Sequence, residues 1–300
     1  MASGPSRPTG RFAPSPTGDL HFGSLVAAVA SCLEARSRGG EWLVRIEDID
    51  PPREVAGSAD RIIETLQRFG MRSDRPVIFQ SDRTAAYRNA RDRLLAEGKA
   101  FWCGCSRADL PPSGVYPGTC RAGLPPGKSP RAARLRVGDE PVVFRDAIQG
   151  EITENLAETV GDFVIWRADD LPAYQLAVVV DDAWQGVDEV VRGHDLLAST
   201  ARQIHVAQAL GLPVPRYAHH PVATGPDGRK LSKRLRSDPI ERSATADTLR
   251  LTLALLGQQP PANLPLADLW NWALGHWRLD RVPRRTAIEV PPGDAMPGDG

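Results

Sequence analysis

The sequence predicts an α/β fold, a parallel sheet covered by helices, from the order of its elements, while composition and charge bound its size and partners. Apolar, β-branched runs alternate with helix-period runs through the first hundred residues, the pattern of repeated βαβ units. The 300 residues are 41% hydrophobic and 25% charged, an ordinary globular composition with chain enough for one large domain or two modest ones. Lys plus Arg and Asp plus Glu balance at 37 each, so a nucleic-acid partner must be met by a local basic patch. No apolar run approaches the roughly 20 residues that span a bilayer, and MASGPSRPTG lacks the apolar core of a secretory signal. Of the four cysteines, three crowd into Cys103–Cys120, which is no secreted disulfide framework. A cytoplasmic location without membrane contact is the expectation.

The first ten residues, rich in Pro, Gly and Ser, read as a loose arm. Residues 10–13 form a short strand, and Ser24–Arg38 a helix that buries Leu25, Val29, Cys32 and Leu33 and stops at Gly39 and Gly40. Cys32 belongs to plain core. Glu41–Glu47 has the β-branched and apolar content of a second strand. Arg53–Phe69 spaces Ile62, Ile63, Leu66 and Phe69 as a helix and closes at Gly70. Val77–Gln80 suggests a third strand and Arg83–Glu97 another helix.

The alternation breaks at Phe101, where a stretch rich in Cys, Gly and Pro begins. Strands are expected at Pro141–Arg145 and Phe163–Trp166. AYQLAVVVDDAW, residues 173–184, reads as a buried strand whose paired aspartates end near a site. Val187–Val191 is a further strand and Asp195–Leu210 a helix capped by Gly211. Beyond Arg236 come a helix at Thr245–Leu256, a Trp- and Leu-rich segment at Leu266–Trp277, and a tail from Val282 expected to be disordered.

Two stretches carry chemistry. In RFAPSPTGDLHFGS, residues 11–24, a proline-rich bend leads from a strand into a helix. The helix start offers unpaired N–H groups and a partial positive charge, Gly23 lets a flat base or phosphate approach, and His21 can donate to a phosphate. Alone, this also fits an ordinary surface turn. In GRKLSKR, residues 228–234, Lys230 and Lys233 can reach phosphate oxygens and Ser232 adds a hydroxyl. Alone, that fits a solvated basic run. The pairing of the two, about 210 residues apart, is more specific than either.

His21-Phe-Gly-Ser24 resembles the HIGH signature of class I aminoacyl-tRNA synthetases, and Lys230-Leu-Ser-Lys233-Arg234 resembles their KMSKS loop. Ser24 stands where HIGH has its second histidine. RIEDIDPPR (45–53), DFVIWRADDLPAYQLAVVVDD (162–182) and VVRGHDLLASTARQ (190–203) are similar to the glutamyl branch, and the resemblance runs from residue 11 to about 236. Pro14-Ser-Pro-Thr17, where the glutaminyl branch reads Pro-Glu-Pro-Asn, favours glutamate over glutamine.

The resemblance implies a Rossmann-type catalytic domain in two halves, 1–100 and 162–236, split by an insertion at 101–161 and followed by a short helical part at 237–281 and a tail at 282–300. It implies glutamate-binding positions at Arg11, Phe12, Ala13, Pro14, Ser15, Glu47, Tyr174 and Arg192. It places ATP on His21, Gly23, Lys230, Ser232 and Lys233, with His21 and Lys233 catalytic and Mg²⁺ accompanying the nucleotide. The residue types suit glutamate: guanidinium forks for carboxylates, an anion for the ammonium, a phenol for a further hydrogen bond. Taken singly, each also fits a surface ion pair or a core-edge tyrosine.

Cys103, Cys105, Tyr116 and Cys120 lie in a segment with little core of its own; spacing alone fits tetrahedral zinc or three reduced, unliganded thiols. The Cys-x-Cys…Tyr-x-x-x-Cys pattern resembles the structural zinc site of a short group of paralogues within the glutamyl branch. The chain stops about 66 residues after Arg234, which implies that the large anticodon-binding region of full-length members is missing. Those paralogues activate glutamate with ATP and transfer it to queuosine in the anticodon loop of tRNA(Asp). A monomer is the expected state. The competing expectations are a truncated glutamyl-tRNA synthetase charging a 3′ end, an inactive tRNA-binding paralogue, and a small-molecule nucleotidyltransferase on the same fold.

Overall fold

The computed structural model describes residues 7–225, 228 and 246–290. Strand β1 (Thr9–Phe12) leads through the proline-rich bend into helix α1 (Phe22–Arg36), as expected. Strand β2 (Glu41–Ile46) follows, then α2 (Ser58–Arg68), β3 (Ile78–Phe79) and α3 (Thr84–Ala96). Helix α2 begins five residues later than the expected Arg53, because Pro51 and Pro52 support only a single 3₁₀ turn and Gly57 (φ 70°) turns the chain before Ser58.

Next come β4 (Ala100–Cys103), β5 (Ala132–Leu135), β6 (Val142–Asp146), β7 (Gly150–Glu154), the single turn α4 (Leu156–Thr159) and β8 (Phe163–Trp166). Helix α5 (Tyr174–Gln185), β9 (Glu189–Gly193), α6 (Leu197–Leu210), β10 (Arg216–His220) and β11 (Val222–Thr224) complete the central part. Helices α7 (Ala246–Leu255) and α8 (Leu266–His276) and strand β12 (Ala287–Glu289) follow.

The main sheet has seven strands in the order β3-β2-β1-β9-β10-β6-β7. Every neighbouring pair is parallel except β6 and β7, which form an antiparallel hairpin at the edge. The order reverses between β1 and β9, and in such sheets ligands lie beyond the carboxyl ends of the strands at the reversal. One core packs α1, α2, α7 and α8 on one face; a second packs α3, α5 and α6 on the other.

Three expectations are corrected. The stretch 173–184, expected as a strand, is helix α5 from Tyr174 to Gln185 with Ala173 as its N-cap. The run is buried nearly all round, so no period reveals it, and its three consecutive valines favour strand; its length and the left-handed cap at Gly186 (φ 72°) mark the helix. The boundaries 101–161 and 162–236 do not follow the strands: β6 and β7 extend the main sheet, while β8 pairs with β5 in a separate antiparallel sheet ordered β4-β5-β8. The tail expected from 282 is ordered through residue 290, because β12 pairs in parallel with β11 and Val282 is buried. Residues 291–300 lie outside the described residues.

Candidate active site

Strand alternation sorts the side chains at the reversal. Phe12, Trp42, Val44, Ile46, Val191 and Ala218 enter the core beneath α1. Their sequence neighbours Arg11, Arg45, Arg192 and His219 therefore take the opposite face, against α5 and α6, and all four are buried. Phe12 thus differs from its neighbours: its ring stacks on Trp42 at 6.5 Å, leaving its backbone to the crevice.

Two of these guanidiniums share a carboxylate. Asp182 Oδ1, from α5, accepts from Arg45 Nη1 at 2.7 Å and from Arg11 Nε at 3.2 Å. Arg45 also donates to Gln185 Oε1 at 2.8 Å and to Glu47 Oε1 at 3.3 Å. Burial pushes the Asp182 carboxyl up, but Arg11 and Arg45 outweigh it and hold that carboxyl below its ordinary range. At Glu47 burial wins over the same two cations, and the carboxyl stands above its ordinary range. The Glu47 amide donates to the Pro14 carbonyl at 2.9 Å, tying the proline bend, with Ala13 and Ser15, to the end of β2.

Arg192 is built differently. Its Nε donates to His219 Nε2 at 2.9 Å, and its Nη2 to Thr200 Oγ1 at 2.8 Å and the Leu196 carbonyl at 3.3 Å. These partners are all neutral, and its buried Nη1 has no partner among the described residues. A guanidinium buried without a carboxylate, with one N–H edge open, is a seat for an anion. Tyr174, the first residue of α5, lies in the same field: burial raises its phenol, Arg192 and Arg11 oppose the rise, and Glu47 adds to it.

At the start of α1, His21 is the N-cap, its Nδ1 accepting from the Ser24 amide at 3.2 Å. Ser24 Oγ lies 3.0 Å from His21 Nε2, so the hydroxyl standing in place of a second histidine steadies the ring. Burial lowers the His21 imidazole, Asp195 opposing in part. A Cβ on Gly23 would touch only His21, at 3.4 Å, so the approach to the helix start is open. Lys230, Ser232 and Lys233, with Arg229, Arg234 and Arg236, lie outside the described residues.

The insertion brings Cys103, Cys105 and Cys120 together, their Sγ atoms within 4.8 Å of one another. Cys105 and Cys120 Sγ are 3.7 Å apart, close to the ~3.8 Å edge of a tetrahedron with ~2.3 Å metal–sulfur bonds. Tyr116 Oη is 3.4 Å from Cys103 Sγ and 4.0 Å from Cys105 Sγ, where a fourth oxygen ligand would stand. All three thiols are free of disulfides, and Arg134 Nε donates to Cys103 Sγ at 3.3 Å. Such a cluster can hold a metal ion. Gly161 (φ 64°) anchors it, since a Cβ there would come within 2.3 Å of the Tyr116 carbonyl. Cys32, on α1, is core, and burial pushes its thiol up to about 12.

The sequence matches the family described as "tRNA synthetases class I (E and Q), catalytic domain" over residues 9–112 and 127–257. A relative from Dechloromonas aromatica, named Glutamyl-Q tRNA(Asp) synthetase, is 53% identical over 294 residues, 94% of this chain and 98% of its own. The chain belongs to the class I tRNA synthetases, with the glutamyl-Q tRNA(Asp) synthetases. A relative of the same name from Pseudomonas paraeruginosa shares 51% identity over 93% of this chain and 96% of its own. The fold is similar to a glutamate tRNA ligase from Elizabethkingia meningosepticum, solved in complex with its amino acid (TM-score 0.81, 25% identity, 95% of this chain and 67% of that one). No helix among the described residues of the synthetase is long and apolar enough to cross a membrane.

Three residues of the site, Arg45, Asp146 and His219, escape motif reading, and Asp182 was read only as one of two aspartates near a site. Arg45 and Asp182 balance the crevice; Asp146 and His219 support Arg192. Arg45 shares the strand parity of Glu47, and His219 sits on the strand that βαβ alternation requires after α6, so both had a usable signal.

Proposed function

We propose that the chain activates L-glutamate with ATP and transfers the glutamyl group to queuosine in the anticodon loop of tRNA(Asp). The observation that carries it is the buried Arg192, which has an open Nη1 and no carboxylate partner among the described residues, at the carboxyl end of β9. The names of the relatives supply the tRNA acceptor. In this reading Arg192 and the outer edge of Arg11 take carboxylates, Glu47 the ammonium, and Tyr174 a further hydrogen bond. Arg11, Ser15 and the backbone of Phe12–Pro14 line one wall of the amino-acid site.

The α-carboxylate attacks the ATP α-phosphorus in line, and pyrophosphate leaves with the electron pair of the broken P–O bond. His21, the start of α1 beside Gly23, and Lys230, Ser232 and Lys233 position and neutralise the phosphates. A Mg²⁺ ion on the triphosphate is part of the same reading. A queuosine hydroxyl then attacks the acyl carbon of the mixed anhydride, AMP leaves, the hydroxyl proton is released, and an ester remains. The test is ATP–pyrophosphate exchange without tRNA. Exchange that requires L-glutamate supports the reading; none at saturating glutamate contradicts it.

Glu47 gives this reading a pH signature. The raised carboxyl must be ionised to pair with an ammonium, so affinity falls as pH drops through its pKa. KM for glutamate should rise by up to about tenfold per pH unit below that point. In Glu47→Gln, KM should be high and nearly flat between about pH 5 and pH 8.

The metal in the cysteine cluster is proposed to be Zn²⁺, held by Cys103, Cys105, Cys120 and Tyr116 as a closed structural site that ties down the insertion. Purified protein should carry about one zinc per chain by elemental analysis. Cys120→Ser should lose that zinc and melt several degrees lower, because metal binding here is folding energy.

A further inference from the structure

We infer that His219, clamped by Asp146, is the positioning residue that fixes the Arg192 guanidinium and leaves its charge for the substrate; this rests on the proposed reading of Arg192 as a carboxylate-binding residue. Asp146 is itself fixed. Its Oδ1 accepts from the amides of Gln149 at 2.8 Å, Ile148 at 3.0 Å and His219 at 3.2 Å. Its Oδ2 lies 2.6 Å from His219 Nδ1. An ionised carboxylate can only accept, so Nδ1 carries the proton and the Nε2 lone pair faces the N–H of Arg192 Nε at 2.9 Å. Burial outweighs the pull of Asp146 and lowers the imidazole to about 4, so the contact with Arg192 is neutral at ordinary pH.

Neutrality is what a carboxylate in this position would forfeit. An aspartate directly on Arg192 would cancel the cation and compete with the substrate anion. One imidazole placed between them passes on the orientation of Asp146 but not its charge. Thr200 and the Leu196 carbonyl hold Nη2 in the same way, and the Tyr217 ring stacks under His219 at 6.1 Å with Arg192 over it at 5.4 Å. Three sides of the guanidinium are fixed by uncharged groups, and Nη1 is left.

Two substitutions separate this from a merely structural role. In His219→Gln the amide oxygen reaches the place of Nε2 and can still accept from Arg192. In His219→Asn the amide reaches only the place of Nδ1. In pyrophosphate exchange, Asn should raise KM for glutamate at least about tenfold, with kcat and KM for ATP within about threefold; Gln should stay within about threefold of wild type throughout. A folded Asn variant with wild-type KM, or a loss shared equally by kcat and KM for ATP, overturns the inference. A second measurement needs neither variants nor glutamate. Long-range ¹⁵N–¹H spectra of the wild-type protein should show His219 as the neutral Nδ1–H tautomer at pH 7, and an Nε2–H or doubly protonated ring overturns the inference. Absence of glutamate-dependent exchange in wild type, with that tautomer intact, contradicts the proposed function and leaves the relay geometry standing.

Discussion

Arg192→Met should abolish glutamate activation at ordinary substrate concentrations, lowering kcat/KM for glutamate in pyrophosphate exchange about a thousandfold, ~4 kcal/mol. The size follows from removing a buried cation that has no carboxylate partner among the described residues, so that a substrate carboxylate loses a charge-assisted partner in a buried place. The same variant should melt at or above the wild-type temperature. In the free protein the guanidinium bears the cost of burial with only neutral partners, and an apolar side chain of similar length relieves it. Loss of activity with retained stability separates a substrate ligand from a structural arginine. A Met variant that keeps wild-type kcat/KM removes Arg192 from the site.

The opposite balance is expected at Asp182. It holds two buried guanidiniums, one of them, Arg45, fully enclosed. Asp182→Ala leaves both without their shared carboxylate and should cost about 3–5 kcal/mol of stability. For a chain of 300 residues that is a fall in Tm of about 5–8 °C. The pH dependence has a definite sign. The folded-state pKa of Asp182 lies below its unfolded value, so its contribution is present above an unfolded pKa of about 3.9 and is lost as pH falls through the lower folded value. The gap in Tm between wild type and Asp182→Asn should therefore be widest near pH 7 and narrow below about pH 4. Thermal melts across that range check it, and a gap that widens in acid contradicts the network.

Most of the parallel sheet was legible because its strands alternate with helices of clear period, and the bend at 11–24 was legible because proline, glycine and histidine mark a strand-to-helix turn. The reading failed where a helix is buried over most of its surface. Helix α5 shows no polar stripe, so AYQLAVVVDDAW passes for a strand, and the error hides the geometry that lets Asp182 and Gln185, three residues apart, meet Arg45 together. Strand β6 was read at Pro141–Arg145, but β7 and β12 escaped, and so did the sheet partners, because β6 joins β10 and β12 joins β11 over long range. Arg11, Glu47, Tyr174 and Arg192 were found as residue types at motif positions. What motif positions do not carry is partnership. That Arg11 already shares Asp182, while Arg192 rests on neutral groups, depends on strand parity across β1, β2, β9 and β10 at once. The cysteine cluster was legible in spacing; its approach to tetrahedral separations came from the fold around Gly161.

The central claim concerns the acceptor, and one measurement addresses it directly. The purified protein is incubated with ATP, labelled glutamate and tRNA(Asp), either containing or lacking queuosine, and the ester is mapped by nuclease digestion. The account predicts label only on queuosine-containing tRNA, in the anticodon-loop fragment. Label on the 3′-terminal adenosine, or equal label on tRNA without queuosine, would contradict it.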